Sequence, residues 1–195
     1  PRLRARFALG YLFGITHFLT CLLWLTEVTV IGWMLLSATC ALFPAAWYCA
    51  AARHRRRQPH EPSGRGLRTA LRPAGSVLIL AALWVAAELV RSWIFTGFPW
   101  NLLGVSQWAN RLVLPLCTIT GVYGLSFLVL VVNFGVADTV ERWWLRLRTG
   151  RRSPAPPVTP VLALVLFVPV AALHTAPAFP RHPTRTLRVL AVQGN

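Results

Sequence analysis

Long apolar runs separated by short basic segments dominate the chain. Five of these runs are long enough to cross about 30 Å of hydrocarbon as helices that rise about 1.5 Å per residue. Helices are predicted because a lone strand would leave its backbone groups without hydrogen bonds in lipid. The pattern predicts an all-α polytopic membrane bundle over residues 1–176, with transmembrane helices at residues 7–26, 28–52, 73–95, 113–139 and 158–175.

The pattern changes after residue 176. Residues 186–195 read TLRVLAVQGN, in which a short Val-rich apolar run is followed by a turn-forming Gln-Gly-Asn. The run is too short to cross a membrane and is typical of a buried strand. A buried strand needs a surrounding sheet, so residues 177–195 are predicted to be a linker and the first β-strand of a truncated α/β domain.

Composition and charge support the membrane class. Only 13% of the residues are charged, against about a quarter in a soluble domain. The net charge is +15, but the arginines lie in short blocks between the apolar runs, which is a topology pattern rather than the basic face of a nucleic-acid-binding module. The more basic side is predicted to be cytoplasmic, which places the loop at 97–112 and the C-terminal tail in the periplasm.

The remaining composition gives no sign of a metal site, a cofactor or a disulfide framework. The cysteines lie inside apolar runs without the spacing of metal ligands or of a CxxC motif. They are interpreted as small buried hydrophobic side chains, and they are Cys21, Cys40, Cys49 and Cys117.

Several glycines are candidates for close helix packing. Gly10 and Gly14 form a small-xxx-small motif, which lets two helix backbones approach each other. Gly121 and Gly124 are predicted to act in the same way.

Two charged residues lie inside the third apolar run. Glu88 and Arg91 are three positions apart, so they share one face of a helix. A carboxylate within the membrane is costly and is a functional candidate by default. Two interpretations are open: a structural ion pair that orients the following loop, or a direct role in binding the substrate.

The loop after this helix reads TGFPWNLLGVSQ over residues 96–107. Gly97 and Pro99 are predicted to end the helix, and Phe98 and Trp100 suit the headgroup level of a bilayer. The loop is either an ordinary aromatic belt or a membrane-surface loop that shapes a cleft for lipid. The candidate substrate-binding residues are Glu88, Arg91, Gly97, Phe98, Pro99, Trp100 and Gln107.

The segment at 84–107, WVAAELVRSWIFTGFPWNLLGVSQ, resembles the signature region of the apolipoprotein N-acyltransferases. There, a membrane helix bearing Glu and Arg leads into a GFPW loop. The segment GVYGLSF at 121–127 is similar to the start of the family's next helix, and RVLAVQGN at 188–195 resembles the first strand of its nitrilase-like domain.

This resemblance implies a multi-pass enzyme of the bacterial inner membrane whose catalytic domain faces the periplasm. Such an enzyme transfers an acyl chain from a phospholipid, typically phosphatidylethanolamine, to the N-terminal diacylglyceryl-cysteine of a lipoprotein. The family's Cys, Glu and Lys triad belongs to the nitrilase-like domain. We therefore assign no catalytic residue, and we expect this chain to be truncated at both ends and inactive alone.

Two other functions are compatible with a helical bundle. A small transporter or channel predicts a polar pathway and often inverted repeats, and neither is evident in the sequence. A membrane anchor for some other periplasmic module would be favoured if a domain of another class followed residue 195.

Overall fold

The computed structural model describes residues 3–57, 67–94, 97–150 and 158–173. Every regular element within these ranges is helical, which confirms the helical bundle. The strand predicted within residues 177–195 lies outside the described residues. The α-helices are α1 (Leu3–Cys21), α2 (Val30–Cys40), α3 (Leu42–Arg56), α4 (Leu67–Trp93), α5 (Cys117–Thr149) and α6 (Val158–Leu173). Short 3₁₀ helices lie at Leu23–Glu27, Leu103–Gln107 and Leu114–Leu116.

Three helical segments in the described ranges are long and apolar enough to cross a membrane, against the five predicted. They are Val30–Arg56, Leu71–Trp93 and Leu114–Thr149, and they correspond to the second, third and fourth predicted spans. The first and last predicted spans are helical but fall short of this criterion. The first begins as α1, which carries Arg4 and Arg6 near its start, and the last is α6, whose apolar part is the shorter segment Val158–Val170.

Several helices extend further at one end than the sequence pattern predicted, and the largest differences are in α4 and α5. Helix α4 already begins at Leu67 and contains Pro73. Helix α5 continues ten residues beyond the predicted end at 139 and stops at Thr149. Gly150 ends it in the left-handed conformation, with φ 65°, and its N–H donates to the carbonyl of Arg146 over 2.9 Å, as is common after a helix C-terminus.

The glycines of α1 allow it to lie directly on α3. A Cβ atom at Gly10 would lie 2.9 Å from Ala45 Cα, and one at Gly14 would lie 2.9 Å from Ala41 Cα. The predicted close packing is confirmed for this pair. It is wrong for Gly121, which has φ 64° and interrupts the first turns of α5, and a Cβ atom there would meet no described atom within 4 Å.

Gly124 does not mediate a contact between helices either. A Cβ atom there would meet the side chain of Thr120, which belongs to the same segment. The expected close packing is therefore wrong for both glycines, because one has open space where a Cβ would lie and the other has a side chain of its own segment there.

Apolar clusters hold the helices together. One joins α4, α5 and α6 through Val77, Ala81, Val131 and Ala163. Another joins α1 and α2 through Phe18, Leu22 and Cys40, with Phe98 of the loop that follows α4 packed against it. Large apolar side chains remain exposed on the outside of the bundle, as on α6 at Leu164, Val165 and Val168. Such a surface is expected where lipid, and not water, surrounds the protein.

Candidate functional site

The last turns of α4 carry both predicted charges into the bundle. Glu88 is 5% exposed and Arg91 is 3% exposed. In the part of the chain that the structure describes, neither forms an ion pair with the other; the ion pair found there joins Arg142 Nε to Asp138 Oδ2 on α5 over 2.9 Å. The predicted ion pair between Glu88 and Arg91 is therefore wrong. Both residues nevertheless hold the following loop, each through its own hydrogen bonds.

Arg91 holds the loop through its backbone carbonyls. Its Nη1 donates to the carbonyl of Trp100 over 2.7 Å, and its Nη2 donates to the carbonyl of Asn101 over 3.3 Å. Its guanidinium carbon lies 5.2 Å from the ring centroid of Phe18 and 5.9 Å from that of Phe98. Carbonyl dipoles and aromatic faces thus surround the buried cation in place of a carboxylate.

Glu88 holds the same loop through a backbone amide. Its Oε1 accepts a hydrogen bond of 2.7 Å from the N–H of Leu103 and one of 3.0 Å from Nε1 of Trp84. Its Oε2 is buried and has no partner among the described protein atoms. The anion therefore binds a donor of the loop while the cation binds acceptors, and the two charges clamp residues 100–103 from one helix.

The loop is also fixed against α5. The N–H of Gly104 donates to Oγ of Ser126 over 2.8 Å, and a Cβ atom at Gly104 would lie only 2.5 Å from the carbonyl oxygen of Val122. Position 104 therefore requires glycine. At the other end of the loop, Gly97 adopts φ 77°, and the next N–H, that of Phe98, donates to the carbonyl of Arg91 over 3.0 Å.

A cavity of about 600 Å³ lies beneath this loop. Its size is in the range of small-molecule sites in proteins. Helices α1, α3, α4 and α5 form its walls, and its polar lining residues come from the loop and from α1, α4 and α5. The lining includes the apolar Phe13, Phe43, Trp47, Trp84, Leu102 and Leu130 and the polar or charged His17, Cys21, Glu88, Arg91, Asn101, Ser106 and Asn133.

The structure separates the predicted site residues into two groups. Glu88 and Arg91 line the cavity, whereas the other candidates are not among its lining residues. Phe98 packs on the α1–α2 cluster, and Trp100 is 60% exposed with its ring centroid 5.8 Å from that of Trp24. The remaining three are Gly97, which sets the turn, the exposed Pro99, and Gln107, whose Oε1 accepts from Nδ2 of Asn110 over 2.9 Å.

Several lining residues were not among the candidates. Trp84 lies four positions before Glu88, so helical spacing alone could have found it. His17 and Cys21 also line the cavity, and the Cys21 sulfur lies 3.9 Å from Nδ1 of His17. They come from α1, far away in sequence, so no local pattern indicated them. Within the described ranges, no group of three or more His, Cys, Asp or Glu is placed to hold a metal ion.

These features define a class of protein. It is a helical membrane module in which a loop, held by hydrogen bonds to buried charged side chains, covers a mostly apolar cavity. Comparison with known proteins gives the family. Residues 1–135 match the family model of the apolipoprotein N-acyltransferase N-terminal domain. The chain therefore belongs to the apolipoprotein N-acyltransferase family.

Curated relatives extend the match over nearly the whole chain. The apolipoprotein N-acyltransferase of Geobacter metallireducens is 30% identical over 98% of this chain and 35% of its own length. That of Caulobacter vibrioides is 30% identical over 96% of this chain and 33% of its own length. That of Pseudomonas aeruginosa is 46% identical over 65 residues, which are 33% of this chain and 12% of the relative. The chain spans about a third of the length of the first two, and no solved structure matches it.

Proposed function

We propose that this chain is the membrane part of an enzyme that transfers an acyl chain from a phospholipid to the N-terminal diacylglyceryl-cysteine of lipoproteins. The family supports this reaction, and the apolar helices support a location in the bacterial inner membrane. The arginine distribution supports an orientation in which the loop at 97–112 and the C-terminal end face the periplasm.

The observation that carries the proposal is the cavity beneath the clamped loop. Its apolar walls suit an acyl chain arriving laterally from the bilayer, and Glu88, Arg91 and Asn101 in its lining suit a headgroup. In this proposal Glu88 and Arg91 hold the loop in the shape that admits both lipid substrates. Gly97, Phe98, Pro99, Trp100 and Gln107 shape the loop and its surroundings without making or breaking bonds.

The bond-making groups implied by the family resemblance belong to the nitrilase-like domain. A Glu takes the proton of the Cys thiol, the thiolate attacks the phospholipid ester carbonyl, and the C–O bond breaks as the Glu returns the proton to the leaving oxygen of the lysophospholipid. The amine of the acceptor then attacks the thioester, the C–S bond breaks, and the Glu carries the amine proton to the departing thiolate, while a Lys stabilises the oxyanion in both steps. The membrane part positions the two lipids, and it requires no metal or cofactor for this role.

The first experiment reads the coding sequence beyond residue 195 and assays the full-length protein. We expect a domain with Glu, Lys and Cys in that order. Purified with phosphatidylethanolamine vesicles and a synthetic diacylglyceryl-cysteinyl peptide, the protein should add one acyl chain to the peptide amine, detected as a mass increase.

The Cys→Ala variant of that domain is the matched control and should leave the peptide unchanged. A full-length protein that folds and binds lipid but never acylates the peptide would overturn the proposed function. A domain of an unrelated class after residue 195 would instead favour the membrane-anchor alternative.

A further inference from the structure

Two buried polar atoms at the cavity have no partner among the described protein atoms: Oε2 of Glu88 and Nδ2 of Asn101. Both residues line the cavity. A carboxylate oxygen accepts hydrogen bonds and an amide nitrogen donates them, so the two atoms are complementary in type. Buried polar atoms are rarely left unpaired because their lost hydration is costly. The pair fits a ligand that offers one donor and one acceptor.

The scaffold fixes the side chain of Glu88 and the backbone of Asn101 in advance. Oε1 of Glu88 is anchored by Trp84 Nε1 and by the N–H of Leu103, which leaves only Oε2 free. Asn101 has φ 60°, a conformation rare for residues other than glycine, and its carbonyl is bound by Nη2 of Arg91. Asparagine is one of the few residues other than glycine that adopt this left-handed conformation readily.

The negative charge of the Glu88 carboxylate determines which kind of ligand donor binds best. Among the described residues, no cation contacts Glu88, because the nearby guanidinium of Arg91 is turned to the carbonyls of Trp100 and Asn101. The low-polarity surroundings strengthen the attraction of a carboxylate for a cation. A positively charged donor group is therefore favoured over a neutral hydroxyl.

We infer that Glu88 and Asn101 form a recognition pocket for a primary ammonium group carried by a diacyl lipid. Oε2 of Glu88 accepts an N–H of the ammonium, and Nδ2 of Asn101 donates to a phosphate or ester oxygen of the same molecule. The acyl chains lie along Phe13, Phe43 and Leu130, which line the apolar walls. This inference rests on the proposed function, in which both the ethanolamine donor lipid and the cysteine acceptor carry such an amine.

The test compares lipids that differ only in their N–H groups. Full-length protein in nanodiscs is titrated with phosphatidylethanolamine or phosphatidylcholine, whose trimethylated headgroup keeps the charge but has no N–H donor, and dissociation constants are measured. We expect the unsubstituted protein to prefer phosphatidylethanolamine by about tenfold, the size of one charge-assisted hydrogen bond. Glu88→Gln keeps an oxygen for Trp84 and Leu103 but removes the charge, so the preference should largely disappear.

Two further variants keep the result interpretable. Glu27→Gln makes the same substitution at an exposed carboxylate outside the cavity and should retain the full preference. Asn101→Gly accepts the positive φ and removes the side-chain amide, including its Nδ2 donor. It should weaken both lipids equally, since both carry the oxygen that Asn101 contacts, and should leave their ratio unchanged.

A second pair of ligands identifies the source of the ammonium. The diacylglyceryl-cysteinyl peptide is titrated with its amine free or acetylated. A Glu88-dependent preference confined to phosphatidylethanolamine assigns the pocket to the donor lipid, and one confined to the free peptide assigns it to the acceptor. No preference for either ammonium overturns the inference, because Oε2 then binds only water.

The inference and the proposed function can fail separately. If the protein prefers the ammonium lipid through Glu88 but transfers no acyl chain, the inferred pocket stands and the proposed function fails. If the protein acylates the peptide at equal rates with or without Glu88→Gln and shows no headgroup preference, the proposed function stands and the inferred pocket fails. Thermal melting of each variant identifies any that fails to fold. If Glu88→Gln does not fold, equal affinity of the unsubstituted protein for phosphatidylethanolamine and phosphatidylcholine still overturns the inference, and so does an Asn101→Gly variant that binds both lipids as tightly as the unsubstituted protein.

Discussion

Two contacts in this molecule bring segments together that are distant in sequence, one through the shape of the packed surfaces and the other through hydrogen bonds. Where α1 lies on α3, Gly10 and Gly14 leave room for the backbone of Ala41 and Ala45, and the contact depends on shape. Where the loop at 97–107 lies on α4 and α5, Arg91, Glu88 and Ser126 supply hydrogen bonds to its backbone. The first contact needs only small residues, whereas the second needs the right donor or acceptor at each position.

The environment explains the difference. A helix pairs its own backbone groups and needs only a complementary surface. An irregular loop at membrane depth leaves carbonyls and N–H groups that lipid cannot satisfy, so protein groups must pair them. Removing the arginine that pairs two loop carbonyls should therefore cost more than a steric substitution at the contact of α1 with α3, whereas losing a single hydrogen bond of the loop should cost less.

The largest effect is expected for Arg91→Ala. The variant leaves the carbonyls of Trp100 and Asn101 unpaired and removes a cation held between the rings of Phe18 and Phe98. Each buried unpaired group costs about 1–3 kcal/mol, so the total loss of stability should be about 3–5 kcal/mol. Denaturant unfolding in mild detergent measures it, and limited proteolysis should cut within residues 97–107.

Arg91→Lys tests whether the forked geometry matters in addition to the charge. Lysine keeps the charge but lacks the planar fork that reaches two carbonyls at once, so this variant should lie between Arg91→Ala and the unsubstituted protein. Equal stability of the lysine variant and the unsubstituted protein would contradict the clamp.

A smaller effect is expected for Gly14→Ala. The added methyl group would meet Ala41 Cα and its carbonyl oxygen, both at 2.9 Å, so α1 must move away from α3. Overpacking of this kind costs about 1–3 kcal/mol. Gly75→Ala in α4 is the matched control, because its added methyl group meets nothing within 4 Å and should leave the melting temperature unchanged or slightly higher.

The smallest effect is expected for Ser126→Ala. It deletes the acceptor of the Gly104 N–H and leaves that buried donor unpaired, at a cost of about 1–2 kcal/mol. The loop should remain seated by the α4 clamp, so hydrogen exchange should rise at Gly104 without a comparable rise at Leu103. If exchange rose equally along the whole loop, the seat on α5 would be the main support and the comparison above would be reversed.

Much of the fold could be predicted because it follows from local composition. The apolar runs predicted three of the membrane-crossing helices, and the Gly10–Gly14 spacing predicted a real contact. The ends were less predictable. Helix α5 continues through Arg142 and Arg146 because charge does not end a helix, whereas Gly150 does so by its left-handed conformation.

The sequence by itself determined the membrane class, the helical architecture and the position of Glu88 and Arg91 on one helix face. Only the tertiary structure decided what these charges bind. Their partners in the loop lie 9 to 15 residues further along the chain. The positions of these partners depend on the turns at Gly97 and Asn101 and on the contact of Gly104 with Ser126. Residue spacing fixes which side chains share a face, but the path of an irregular loop across two helices fixes which backbone groups come within hydrogen-bonding distance.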